Sequence, residues 1–204
     1  MNDIDCKRQL VRVVHGFGVV SVAFRPLLGN LQHRSMSASL FRYPSLGLPL
    51  RTIVDRLAED LATSKPTGIV AHSLGCFATV LAVAQVDWRG PIVFLAPPFS
   101  QIPITASIPS FLRYPFGPLL DHRSVLSRTD FHLPCLSGCG KLAIAGRFDL
   151  TVPISSTQSY RVDEYRIVNH THNTMLASAK VADLCINWIR DNNSPSANDS
   201  PPER

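Results

Sequence analysis

The chain has 204 residues, of which 45% are hydrophobic and only 17% charged. That is enough sequence for one sizeable core, and it excludes a disordered polyelectrolyte, a collagen-like repeat and a coiled coil. The formal net charge of +5 comes from scattered basic residues such as Arg25, Arg34, Arg42 and Arg51, which form no stripe for nucleic acid. It is compatible with contact to an anionic membrane surface without indicating it.

Residues 10–14 (LVRVV) are a β-branched run that breaks at His15-Gly16, so a strand is expected to end in a glycine loop. A helix follows over 21–34, with Val22, Phe24, Leu27, Leu28 and Leu31 on one face, and a second strand over 37–43. Helical spacing of Leu50, Ile53, Val54, Leu57, Ala58 and Leu61 marks a helix over 50–63. GIVAH at 68–72 reads as a buried strand, and 74–86 as a helix so apolar that it must be covered on several sides. Further strands are expected at 91–96, 141–146 and 164–168, and a closing amphipathic helix at 179–190.

Strands alternating with helices imply right-handed crossovers and a three-layer α/β architecture. About six mostly parallel strands carry helices on both faces. Residues 97–140 interrupt the alternation with seven of the sixteen prolines and with Phe99, Ile102, Ile104, Phe111, Leu112 and Phe116. A connection this long reads as a short cap over the C-terminal edge of the sheet. The domain is expected to span 1–191, with 192–204 a disordered polar tail.

Five cysteines (Cys6, Cys76, Cys135, Cys139, Cys185) form no disulfide pattern. Cys135 and Cys139 lack a second pair to complete a metal site, so ordinary thiols are expected. The first ten residues, MNDIDCKRQL, lack an apolar signal core, and no apolar run could span a bilayer. A cytoplasmic location is expected.

Chemistry concentrates at Ala71-His72-Ser73-Leu74-Gly75, between the buried strand and the apolar helix. A serine on a sharp strand-to-helix turn is forced into strained angles that push its hydroxyl into the open. The competing reading is a serine that merely caps the helix. His15-Gly16-Phe17-Gly18 supplies a loop where glycines let backbone approach a reacting oxygen, with Phe17 and Leu74 N–H as the oxyanion donors. Gly16-x-Gly18 also opens a dinucleotide pattern, but Ser21 stands at the third glycine position and no acidic partner follows.

Such a serine needs a base, and the base an orienting acid. In the chain order serine, acid, histidine, the base falls in the loop after the last strand, at His170 or His172. His172 is preferred because it lies at the loop's far end. Asp149 follows a strand at the same sheet edge, whereas Asp121 and Asp130 lie in the excursion and Asp163 on the opposite edge. Asp149 could equally be a turn former that bonds its own backbone.

These motifs resemble the α/β-hydrolase superfamily over about residues 10–190, in particular compact bacterial lipase/esterase-like members sharing features with triacylglycerol lipases and the GPI-inositol-deacylase-like group. Asp149-Leu150-Thr151-Val152-Pro153 and Leu95-Ala96-Pro97-Pro98 add to the resemblance. It departs at Ala71 (for glycine), Cys76 (for a second glycine) and Asn173 (for threonine). The resemblance implies Ser73 as nucleophile, Asp149 as acid, His172 as base, and Phe17 with Leu74 as oxyanion donors. The expected activity is hydrolysis of a small-molecule or lipid ester, with no metal or organic cofactor. Gly16, His72, Phe99, Phe111 and Phe116 are the candidate substrate contacts, although Phe99, Ile102, Ile104, Phe111, Leu112 and Phe116 of the excursion could equally cover core, line an acyl pocket or form a small lid. Amidase, thioesterase or acyltransferase chemistry on the same triad, and a silent binding protein on this fold, are the alternatives.

Overall fold

The computed structural model describes residues 10–18, 21–44, 46–100, 102 and 113–193. Within them, one sheet is built from β1 (Leu10–Val14), β2 (Ser37–Phe41), β3 (Gly68–His72), β4 (Ile92–Leu95), β5 (Lys141–Gly146) and β6 (Glu164–Val168). The spatial order is β2-β1-β3-β4-β5-β6, and every pairing is parallel. The helices are α1 (Arg25–His33), α2 (Leu50–Ser64), α3 (Leu74–Val83), α4 (Arg113–Leu126), the single turn α5 (Ile154–Thr157) and α6 (Ala179–Asn193).

Strand side chains alternate between the two faces, and along the central strands both faces are dry, whereas the edge strand β6 exposes Tyr165, Arg166 and Ile167. Val11, Val13, Val70, Val93, Leu95, Leu142 and Ile144 join the α1/α6 layer, with Leu27, Leu31, Val181 and Ile189. Val14, Ile69, Ala71, Ile92, Phe94 and Ala143 join the α2/α3 layer, with Ile53, Leu57 and Phe77. The continuous apolar runs of the central strands follow from this two-sided burial. So does α3, in which nine of ten residues are buried.

Handedness decides which helix goes where. From β1 the chain steps one way to β2, and from β2 onward it steps the other way, so right-handed crossovers put α1 on one face and α2 and α3 on the other. The reversal leaves the loops after β1 and β3 on adjacent strands, diverging at their carboxyl ends. Open α/β sheets form their crevice at that point.

Several elements differ from expectation in their bounds. Residues 21–24 form a 3-10 turn, and α1 starts at Arg25 with Pro26 in its first turn. The last helix runs to Asn193, past the expected start of the polar tail; residues 194–204 lie outside the described residues. The largest difference is α4, a helix inside the 97–140 excursion, with Pro118 in its interior. It is anchored from outside. Asp121 Oδ2 accepts the Leu50 N–H at 3.0 Å, supplying the acceptor that Pro49 cannot give at the start of α2. The next residue, His122, donates from Nε2 to the Pro98 carbonyl at 2.8 Å and sets its ring edge-on to Phe77.

Candidate active site

Ser73 stands between β3 and α3 with φ 54° and ψ −131°. This is a left-handed conformation that costs a non-glycine residue about 1–3 kcal/mol. The surroundings hold it there. Its N–H donates to the Leu95 carbonyl at 2.9 Å, and its own carbonyl accepts the Cys76 N–H at 2.8 Å. Gly75 is pressed so closely on the first loop that a Cβ there would lie 2.9 Å from the Val14 carbonyl oxygen. Ala71 and Cys76, the two departures from glycine, turn into the core, where burial raises the Cys76 thiol pKa and leaves it unreactive. Ser73 itself is half-buried.

His172 brings Nε2 to 3.0 Å from the Ser73 hydroxyl and Nδ1 to 2.7 Å from Asp149 Oδ2. Asp149 is held by its other oxygen, Oδ1, which accepts the Thr151 and Val152 N–H groups at 2.8 and 2.9 Å. The turn-forming and histidine-orienting readings of this residue therefore hold together, one on each oxygen. Burial pushes the Asp149 carboxyl pKa up. The hydrogen bonds from His172 and the two backbone N–H groups outweigh it and keep the group below its usual range. The loops that carry Asp149 and His172 are tied to each other. Arg147 N–H donates to the Val168 carbonyl at 2.8 Å and Phe148 N–H to the His170 carbonyl at 3.1 Å, while Gly146 leaves no room for a side chain under His170. His170 thus contributes its backbone to this clamp.

The loop after β1 closes the other side. A Cβ on Gly16 would lie 2.7 Å from Ser73 Cβ and 3.2 Å from its Oγ, so only glycine lets this backbone pass the hydroxyl. His15 Nδ1–H donates to the Gly16 carbonyl at 2.9 Å, which turns the N–H of the same planar peptide, that of Phe17, away from the imidazole. Leu74 opens α3, where an N–H has no intrahelical acceptor. The His15 ring stacks on Tyr43 at 3.9 Å, and the Tyr43 hydroxyl donates to the His15 carbonyl. Sequence gives no signal for Tyr43, which stands two residues past the end of β2 and belongs to no motif.

The expected substrate contacts divide. Gly16 lies against Ser73, and the Phe116 ring of α4 sits 5.8 Å from that of Phe17. Phe99 takes the core alternative: it is buried, with its ring edge-on to Phe94 at 5.1 Å. His72 is corrected, being 1% exposed and packed beneath the site against Phe24. Phe111 lies outside the described residues. A groove of about 820 Å³ between α2, α3 and α4, lined by Leu50, Val54, Leu81 and Val125 among others, contains none of Ser73, Asp149 and His172. Among the described residues no cluster of His, Cys, Asp or Glu is arranged to hold a metal ion, and no helix is long and apolar enough to cross a membrane. Cys135 is exposed while Cys139 is buried.

The chain matches no protein-family model, and no curated protein matches it by sequence. Solved structures do match. The esterase domain of a Rhodothermus marinus protein superposes with a TM-score of 0.61 at 15% identity, covering 94% of this chain and 90% of that one. An extracellular α/β-hydrolase from a Paenibacillus species gives 0.59 at 12% identity over 88% and 98%. A type II thioesterase of the yersiniabactin pathway gives 0.60 at 14% over 89% and 91%. The chain therefore has the α/β-hydrolase fold.

Proposed function

We propose that the chain is a serine hydrolase that cleaves carboxylic esters through an acyl-enzyme. The observation that carries this reading is the continuous relay from Asp149 Oδ2 through the His172 ring to the Ser73 hydroxyl, with steps of 2.7 and 3.0 Å. A carboxylate on Nδ1 fixes the tautomer whose Nε2 is free to accept a proton. In the proposed reaction His172 takes the Ser73 proton as the oxygen attacks the ester carbonyl, and the Phe17 and Leu74 N–H groups receive the oxyanion. The imidazolium protonates the leaving alcohol. Water, activated by the same ring, then attacks the acyl-serine and releases the acid.

The strained backbone at Ser73 and the side-chain-free passage at Gly16 support the reading. Esterase and thioesterase neighbours in the fold class support acyl chemistry in general. The test is labelling by a fluorophosphonate together with turnover of p-nitrophenyl esters of graded chain length. One-to-one labelling that disappears in Ser73→Ala is expected, along with ester turnover; absence of labelling would leave a binding protein on this fold. Matched oxoester and thioester probes distinguish esterase from thioesterase.

A further inference from the structure

His72 ends β3, one residue before Ser73, and is buried beside an aromatic ring. Phe24 meets it edge-on at 5.9 Å, and its Nδ1 is buried without a partner. Leaving that nitrogen unpaired is a cost that phenylalanine would avoid. What the imidazole adds is one bond: His72 Nε2 lies 2.9 Å from the carbonyl oxygen of His172, a hundred residues further along the chain. A carbonyl only accepts, so Nε2 carries the proton and Nδ1 does not. The two imidazole rings lie against each other, with centroids 4.7 Å apart.

This bond answers a problem of reach. His172 comes from the loop after β6, three strand positions from β3, or about 14 Å at the usual strand spacing. Asp149, arriving from β5, holds only the far nitrogen of its ring. On that side the loop backbone is held at His170, by the Phe148 N–H, two residues short of His172.

We propose that His72 is a positioning residue: its Nε2–H grips the His172 carbonyl from the Ser73 side, while Asp149 grips the ring from the other, and the two together set the approach of Nε2 to the serine. The inference rests on the reading of Ser73 and His172 as nucleophile and base. Burial and the neighbouring His172 ring push the His72 pKa down to about 3, so the donor tautomer persists while ordinary imidazoles titrate.

His72→Phe keeps the ring and removes the donor, and His72→Gln returns an N–H near the same place. For His72→Phe, kcat and the rate of fluorophosphonate labelling are expected to fall about 10- to 100-fold with KM unchanged. His72→Gln is expected to recover most of that loss. A residue needed only for packing would lower the melting temperature of both variants without separating their rates. Wild-type rates in His72→Phe, or no recovery in His72→Gln, would overturn the proposal. Nitrogen-15 NMR of wild-type protein tests it without any variant: His72 is expected as the Nε2–H tautomer, and the Nδ1–H tautomer refutes the grip. A wild-type chain that takes no label at Ser73 would instead refute the hydrolase reading, and the tautomer would still report on the contact.

Discussion

Replacing Asp149 by asparagine separates the two tasks of this carboxylate. Oδ1 accepts two backbone N–H groups, from Thr151 and Val152, at 2.8 and 2.9 Å. Two fixed donors can be met only by the amide oxygen, so the asparagine NH2 must occupy the Oδ2 position, 2.7 Å from His172 Nδ1. There it can only donate. His172 then has to present Nδ1 as the acceptor and carry its proton on Nε2, toward Ser73, where it cannot take another. Losing the correct tautomer in a serine triad costs about 10⁴ in kcat, or about 5 kcal/mol of barrier. Stability should hardly move, because the turn keeps its acceptor. Asp149→Ala removes both tasks and leaves the two N–H groups unpaired, at about 1–3 kcal/mol each where buried. The assay is kcat on a p-nitrophenyl ester beside a thermal melt for both variants. Asparagine at 149 with kcat within tenfold of wild type would refute the tautomer argument. An equal loss of melting temperature in both variants would show that the amide oxygen does not replace the carboxylate as the turn's acceptor.

Gly16→Ala places a methyl 2.7 Å from Ser73 Cβ and 3.1 Å from the His72 carbonyl oxygen, well inside the roughly 3.5–4.0 Å of an ordinary carbon contact. A displacement of about 1 Å at the reacting group is expected to lower kcat about 10²-fold, and overpacking to lower stability by about 1–3 kcal/mol; unchanged kinetics would show that the loop does not touch the reaction. In acid, three buried imidazoles lead the expected loss of stability, and burial pushes the first of them, His15, below its usual value. Burial pushes His72 down to about 3 and His122 down to about 4, so their stabilising effect is complete above the free imidazole value of about 6.5 and is lost as pH falls from there toward the folded values. Calorimetry at about pH 5 in buffers of different ionisation enthalpy should show uptake of about two protons on unfolding from His72 and His122, with a further contribution from His15, and no uptake would place these rings in water.

What could be read from sequence was what local chemistry fixes. The central strands are continuous apolar runs because both sheet faces are covered, and Ser73, Asp149 and His172 could be ordered because each follows a strand and so reaches the same sheet edge. What was hidden depends on partners far along the chain. Pro115, Gly117 and Pro118 argue against a helix, and α4 forms because Asp121 and His122 are bonded to the start of α2 and to the loop after β4. Phe99 offers the same ring to a pocket as to a core. The role of His72 was invisible because its partner is a backbone carbonyl, which no residue type announces.

Among the described residues, four other than glycine have positive φ, and their positions differ in kind. Ser35 and Lys65 lie where α1 and α2 hand over to the next strand, at helix ends where a left-handed residue is the ordinary way to stop. Ser73 and Ala96 lie past the carboxyl ends of the adjacent strands β3 and β4, joined by the bond from Ser73 N–H to Leu95. At position 73 a glycine would adopt the same angles without strain and would make the same two backbone bonds, since neither involves the side chain. Only the hydroxyl distinguishes serine there, and its partner is His172 Nε2. The strain at 73 is thus accounted for by the oxygen it presents to the imidazole, whereas the turn itself has no use for it.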